Sequence, residues 1–171
     1  MVIASKTLNR FLRDSPIALS LASPAFEDFP LVMVNDAFVR LTGYAREDAL
    51  GRNCRFLQGP NSEESAIADL RRNVAEENET LVGITNYRRD GTQFRNLVFV
   101  FPIFDQRGKL LYMMGSQYDV TAPRRSVSPS EYGEILDEVI GFNRPLMASH
   151  EQLLIRHERP CVDAVRAILD P

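Results

Sequence analysis

Apolar positions recur along this chain with two different periods, and the changes of period divide it. Residues 3–13 carry Ile3, Thr7, Leu8, Phe11 and Leu12 at helical spacing, which predicts a short amphipathic helix. IALSLA (17–22) then alternates large Ile17, Leu19 and Leu21 with small Ala18, Ser20 and Ala22. Alternation means a strand, and the small residues keep one of its faces thin, as though something bulky lies against it. SPAFEDFP is a turn-rich connector and LVMV (31–34) a second strand. Asn35 caps a brief helix that Gly43 stops, and AREDAL makes another helical turn ending at Gly51. After RNCRFLQGP, too short for an element of its own, a longer helix begins at Asn61 or Ser62. Glu63 and Glu64 are favourably placed in its first turn, and Ala66, Ile67, Leu70 and Val74 fall on one side.

From residue 80 the period is that of strands. LVGITNYRR and TQFRNLVFVFPIF are joined by Asp90-Gly91 and read as a hairpin, because Asp-Gly favours positive backbone angles. Gln106-Arg107-Gly108 turns the chain into KLLYMMGSQYDV. Two strands, several small helices and three further strands argue for an α+β domain with a mixed or antiparallel sheet and helices on one face. APRRSVSPS (122–130) is a linker, and Ser128-Pro129-Ser130-Glu131 is a good helix start. Tyr132, Ile135, Leu136, Val139 and Ile140 then make an amphipathic helix. Pro145 and Pro160 divide the rest into two more helical pieces, one with Leu146, Met147, Leu153 and Leu154, the other with Val162, Val165, Ile168 and Leu169. The organisation expected is an N-terminal flanking helix (1–15), a main domain (16–121), the linker (122–130) and a C-terminal helical extension (131–171).

Composition narrows the classes. The 171 residues are 44% hydrophobic and 25% charged, the balance of a soluble globular domain. A net charge of −3 offers no general attraction to nucleic acid or to an anionic membrane. No apolar run approaches the roughly 20 residues that span a bilayer, and the first residues lack a signal-peptide core, so a cytoplasmic location is expected. Cys54 and Cys161 are far apart and fit no metal spacing; His150 and His157, the two histidines, both lie in the tail. No structural metal is expected.

The chemistry concentrates in Gly51-Arg52-Asn53-Cys54-Arg55-Phe56-Leu57-Gln58-Gly59-Pro60. A lone cysteine is most often a small core residue, but Asn53 and Arg55 make burial among hydrocarbon a poor fit here. A Cys–His hydrolase would have to draw its base from the tail. Asn86 and Asn96 fall within strands, where asparagine is a poor choice; two of them facing inward across a hairpin ask for a polar ligand. Arg71 and Arg72 look like a solvated helix face, and Gln117 between Ser116 and Tyr118 could be exposed. Phe38, Leu57, Val98, Val100 and Met113 read as core that also walls a site.

These residues resemble the LOV (light-oxygen-voltage) blue-light photoreceptor family within the PAS superfamily. The ten-residue string matches the family's adduct-forming motif, and the resemblance covers roughly residues 17–121. Asn35-Asp36-Ala37-Phe38, Leu41-Thr42-Gly43-Tyr44, Asn86-Tyr87, Phe94 with Asn96, and Gly115 with Gln117 match at the family's separations. The resemblance implies a PAS-like five-stranded antiparallel sheet with helices on one face, plus N- and C-terminal flanking helices. It implies FMN as cofactor, with Cys54 as the thiol that attacks carbon 4a of the excited flavin. Asn53 and Gln58 would hydrogen-bond the flavin ring and its ribityl chain, with Leu57 and Val98 among the contacts. Arg55 and Arg71 would clamp the phosphate, as suits guanidinium groups, Asn86 and Asn96 would face the pyrimidine edge, and Gln117 would sit beside nitrogen 5.

On this reading the protein is a photoreceptor and not an enzyme. Protonation of nitrogen 5 on adduct formation would turn the Gln117 amide over and alter the last strand. Ala22, Val98, Met113 and Arg95 depart from the plant-type pattern, which bears on adduct lifetime, while Asp48 and Arg89 stand where the family often has a surface ion pair. No kinase, helix-turn-helix or cyclase sequence follows, so the expected output is a homodimer of light-dependent affinity, weakened by light, or a further signalling partner; nucleic acid and membrane are not expected. The competing classes are a light-insensitive PAS ligand-binding module, a flavin-dependent oxidoreductase, against which the lack of a Gly-rich fingerprint counts, and a light-regulated transcription regulator acting through the C-terminal helices.

Overall fold

The structure, a computed structural model, describes residues 12–13, 15–105 and 107–121, and the backbone of 153–154. Its frame is an antiparallel sheet in the order β2-β1-β5-β4-β3, from β1 (Ala18–Ala22), β2 (Leu31–Val34), β3 (Thr80–Tyr87), β4 (Gln93–Asp105) and β5 (Leu110–Asp119). Between β2 and β3 the chain forms α1 (Asp36–Thr42), α2 (Arg46–Ala49), a 3-10 turn (Cys54–Leu57) and α3 (Glu64–Ala75). This is the α+β, PAS-like five-stranded architecture expected. Among the described residues no helix is long and apolar enough to cross a membrane.

The alternation in β1 sorts the two faces of the sheet. Leu19 and Leu21 point into a cluster with Phe99, Phe101, Ile103, Met114 and Leu12, the last from the described part of the N-terminal flank. The small residues take the other face: Ala18 packs with Leu31, Val34, Ala37, Phe38 and Leu57, and Ser20 and Ala22 border a cavity.

Local chemistry sets the helix ends. Asn35 is fully buried; its Oδ1 accepts from Phe38 N (2.9 Å), capping α1, and from Leu19 N (3.0 Å), while Nδ2 donates to Ile17 O (2.7 Å). Gly43, at φ 72°, ends α1 in the left-handed conformation that glycine adopts without strain. The Asp48–Arg89 ion pair forms between α2 and the β3–β4 loop, with both side chains exposed. Such a pair contributes about 0–1 kcal/mol.

Three expectations need correction. The longer helix begins at Glu64, because Ser62 Oγ is engaged by Gly59 N and Thr85 O and Glu63 turns to Thr85 and Arg95, so neither side chain caps it. The β3–β4 connection is a three-residue loop: Arg88 N donates to Thr92 O (2.8 Å), Gly91 N to Arg88 O (2.9 Å), and Gly91 takes the positive φ (84°), not Asp90. Leu153–Leu154, expected on a helix, form a short strand β6 opposite Phe104 and Asp105 of β4. β3 pairs β4 only as far as Val100, so the end of β4 exposes a backbone edge that another strand satisfies. The remainder of the expected flanking helices and the linker lie outside the described residues.

Candidate functional site: a cavity bordered by Cys54

The motif around Cys54 is pinned from both ends. Asn53 caps the 3-10 turn, its Oδ1 accepting from Arg55 N (3.0 Å), while its Nδ2 donates to Asp28 O (2.6 Å). Leu57 is buried beneath α1, Phe56 packs edge-on against Tyr44 (4.8 Å), and the Arg52 guanidinium lies 4.4 Å over the Phe56 ring. Gly59 passes so close to Tyr87 that an added Cβ would meet the ring at 2.4 Å, and Tyr87 Oη accepts from Asn61 N (2.9 Å). With Phe56 packed away, Cys54, Leu57 and Gln58 border a cavity of about 310 Å³. That volume falls within the range of small-molecule sites.

The ten residues that the family resemblance assigned to the site border this one cavity: Asn53, Cys54, Arg55, Leu57 and Gln58 from the motif, Arg71 from α3, and Asn86, Asn96, Val98 and Gln117 from β3, β4 and β5. Ile67, Leu70, Val74, Ile84, Val100 and Met113 add apolar wall. Phe38, expected in the wall, is fully buried in the neighbouring cluster and is not part of the lining. The helix register separates the two arginines: Arg71 borders the cavity, while Arg72 pairs with Asp69 (2.6 Å) at the surface.

The polar groups are unevenly satisfied. Asn96 Nδ2 donates to Asn86 Oδ1 (2.9 Å) and Asn96 Oδ1 accepts from Tyr118 N (3.2 Å), so the two buried amides form one unit across the hairpin. Gln117 is buried; its Nε2 donates to Ser20 Oγ (3.1 Å), and its Oε1 has no partner among the described residues. An unpaired buried carbonyl costs about 1–3 kcal/mol unless a ligand donor or a water meets it. Gly115 leaves room here, since a Cβ would come within 2.8 Å of Gln117 Nε2 and 2.9 Å of Ser20 Oγ. Burial pushes the Cys54 thiol from an ordinary 9.0 up to about 12. It is therefore a protonated thiol near neutral pH, the opposite of what a hydrolase nucleophile needs.

Sequence reasoning missed Asp28 and Ser20. Arg55 forms a two-bond ion pair with the Asp28 carboxylate (2.6 Å for each). Asp28 stood in the turn-rich connector next to Glu27, with nothing in the pattern to separate the two. Ser20 was read only as a small residue.

Comparison with known proteins agrees with this geometry. A family model described as PAS domain matches residues 19–122. Blue-light-activated histidine kinase 1 of Erythrobacter litoralis is 48% identical over 105 residues, which cover 61% of this chain and 29% of that protein. The solved LOV domain of the Erythrobacter litoralis EL346 blue-light-activated histidine kinase superposes with a TM-score of 0.61 at 39% identity, over 63% of this chain and 99% of that one. The structure of the RsLOV d2 variant gives a TM-score of 0.73 at 30% identity, over 81% of this chain and 78% of that one. The chain belongs to the PAS domain family and, within it, to the LOV domains. It spans less than a third of the curated histidine kinases it matches.

Proposed function

We propose that this chain senses blue light by binding FMN in the cavity bordered by Cys54. What carries the reading is the meeting of a protonated thiol with a buried amide oxygen that lacks a partner, on one cavity of small-molecule size. FMN, when bound, supplies blue-light absorption and, once excited, a carbon 4a able to take the Cys54 sulfur. Cys54 keeps its proton at rest, so it is inert until such an acceptor appears. Asn86 and Asn96 leave amide hydrogens free for a ligand after bonding each other. Gln117 can offer either end of its amide, because Ser20 Oγ, which accepts from Gln117 Nε2 while donating to Gly115 O (3.4 Å), can redirect its one hydrogen to the Gln117 oxygen if the amide turns over. Arg55 and Arg71 provide positive charge for a phosphate. The purified protein should be yellow, with a visible band that bleaches in blue light and recovers in darkness. A colourless protein that takes up no flavin, or a band indifferent to light, would sink the proposal.

The output we favour is self-association that light weakens. Leu12 of the N-terminal flank packs with Met114 of β5, the strand that also bears Gln117, so a change at the amide lies close to the flank. Size-exclusion chromatography with light scattering, dark and lit across a concentration series, tests this. A monomer throughout refutes it, and so does a dimer whose affinity ignores light.

A further inference from the structure

The connector between β1 and β2 brings a carboxylate to the cavity. Asp28 borders it, and its two carboxylate oxygens take one bond each from the terminal nitrogens of Arg55 (2.6 Å each). The placement is built in. Asp28 and Phe29 both hold positive φ (68° and 48°), the Asp28 carbonyl is tied to Asn53 Nδ2 (2.6 Å), and Ser23 N–Pro30 O (3.0 Å) closes the connector. Non-glycine residues hold such angles only where their surroundings over-determine them. The other guanidinium at the cavity differs: among the described residues Arg71 has no ion-pair partner.

We propose that Asp28 is a specificity-determining residue that lowers the cavity's preference for a phosphate-bearing flavin over an uncharged one, by occupying the fork of Arg55. The proposal rests on the flavin reading above. A terminal phosphate has to share that fork with the carboxylate or displace it, and it meets like charge in doing so. An uncharged flavin pays neither cost. The Arg55 hydrogen bond also holds the Asp28 carboxyl below the usual carboxylate range, so the competing charge is present at any ordinary pH.

Equilibrium titration of the full chain with FMN and with riboflavin, for wild type and Asp28→Asn, is the test. Asparagine tolerates the left-handed backbone that Asp28 adopts, so the connector is kept while its charge is removed. The two side chains are about half exposed, so the ratio of FMN to riboflavin affinity should rise about two- to fivefold at low ionic strength, the size expected for an exposed charge pair, and the gain should shrink in roughly 1 M salt. Asp28→Ala should raise the same ratio, which guards against an effect peculiar to asparagine. In the Arg55→Gln background Asp28→Asn should leave the ratio nearly unchanged, because the fork is gone. Flavin binding by wild type with an unchanged or lowered ratio in both Asp28 variants overturns the assignment alone. A wild-type chain that binds neither flavin overturns the flavin reading, and this proposal with it.

Discussion

A sulfur atom packed against Leu57, Phe38 and their neighbours loses the water that would stabilise its thiolate, and this is why Cys54 holds its proton up to about 12. Its reactivity then has to come from the partner and not from itself. Cys54→Ala should still show a visible flavin band but no bleaching in blue light, while Cys161→Ser should bleach as the parent does; absorbance before and after illumination decides both. Gln117 is the second residue whose surroundings single it out, with one end of its amide on Ser20 and the other unpaired among the described residues. Gln117→Leu should therefore bleach yet give a smaller light-driven change in amide hydrogen exchange along β1 and β5. An exchange response of full wild-type size would show that the signal leaves by another route.

Among the elements, α1 and β1 are joined through one side chain. Asn35 caps the helix and simultaneously takes the place of a strand partner for Leu19 N and Ile17 O. Its truncation strips the cap and strands buried backbone groups together. Asn35→Ala should lower stability by about 2–4 kcal/mol, combining a lost cap with at least one orphaned buried donor. Urea unfolding checks this, with a midpoint shift at unchanged slope as the expected result. The 3-10 turn is fastened differently, by the close pass of Gly59 over Tyr87, where any side chain collides with an aromatic ring held by Asn61 N.

In the molecule as a whole the sheet works as a partition. One face carries the large residues of β1, β4 and β5 beneath Leu12, and the other carries the cavity under α3 and the 3-10 turn. The half-buried thiol of Cys54 links this architecture to pH. Its folded value lies above its ordinary 9.0, so folding disfavours the thiolate. The contribution is fully present below pH 9 and is lost as pH rises toward about 12. Stability measured against Cys54→Ala should thus be level up to about pH 9 and then fall for the wild type relative to the variant. Two denaturation curves that stay parallel through that window would show that the thiol is not desolvated by the fold.

Periodicity and turn chemistry determined most of the elements, because those signals are local: the alternation of Leu19 and Leu21 against Ser20 and Ala22, the cap at Asn35 and the stop at Gly43 can be read from a few neighbours each. The motif around Cys54 and the amides Asn86 and Asn96 were legible for a related reason, since a thiol between polar residues and asparagines within strands contradict their local setting; Gln117 fits an exposed position as well on local grounds, and only the family resemblance marked it. What only the tertiary structure decided depends on residues distant in sequence. Glu63 leaves the start of α3 for Thr85 and Arg95, and Leu153–Leu154 become a strand because β4 outruns β3. Asp28 looks like any acid in a turn until the connector folds back and sets it on Arg55, an ion pair spanning 27 residues that no local pattern encodes.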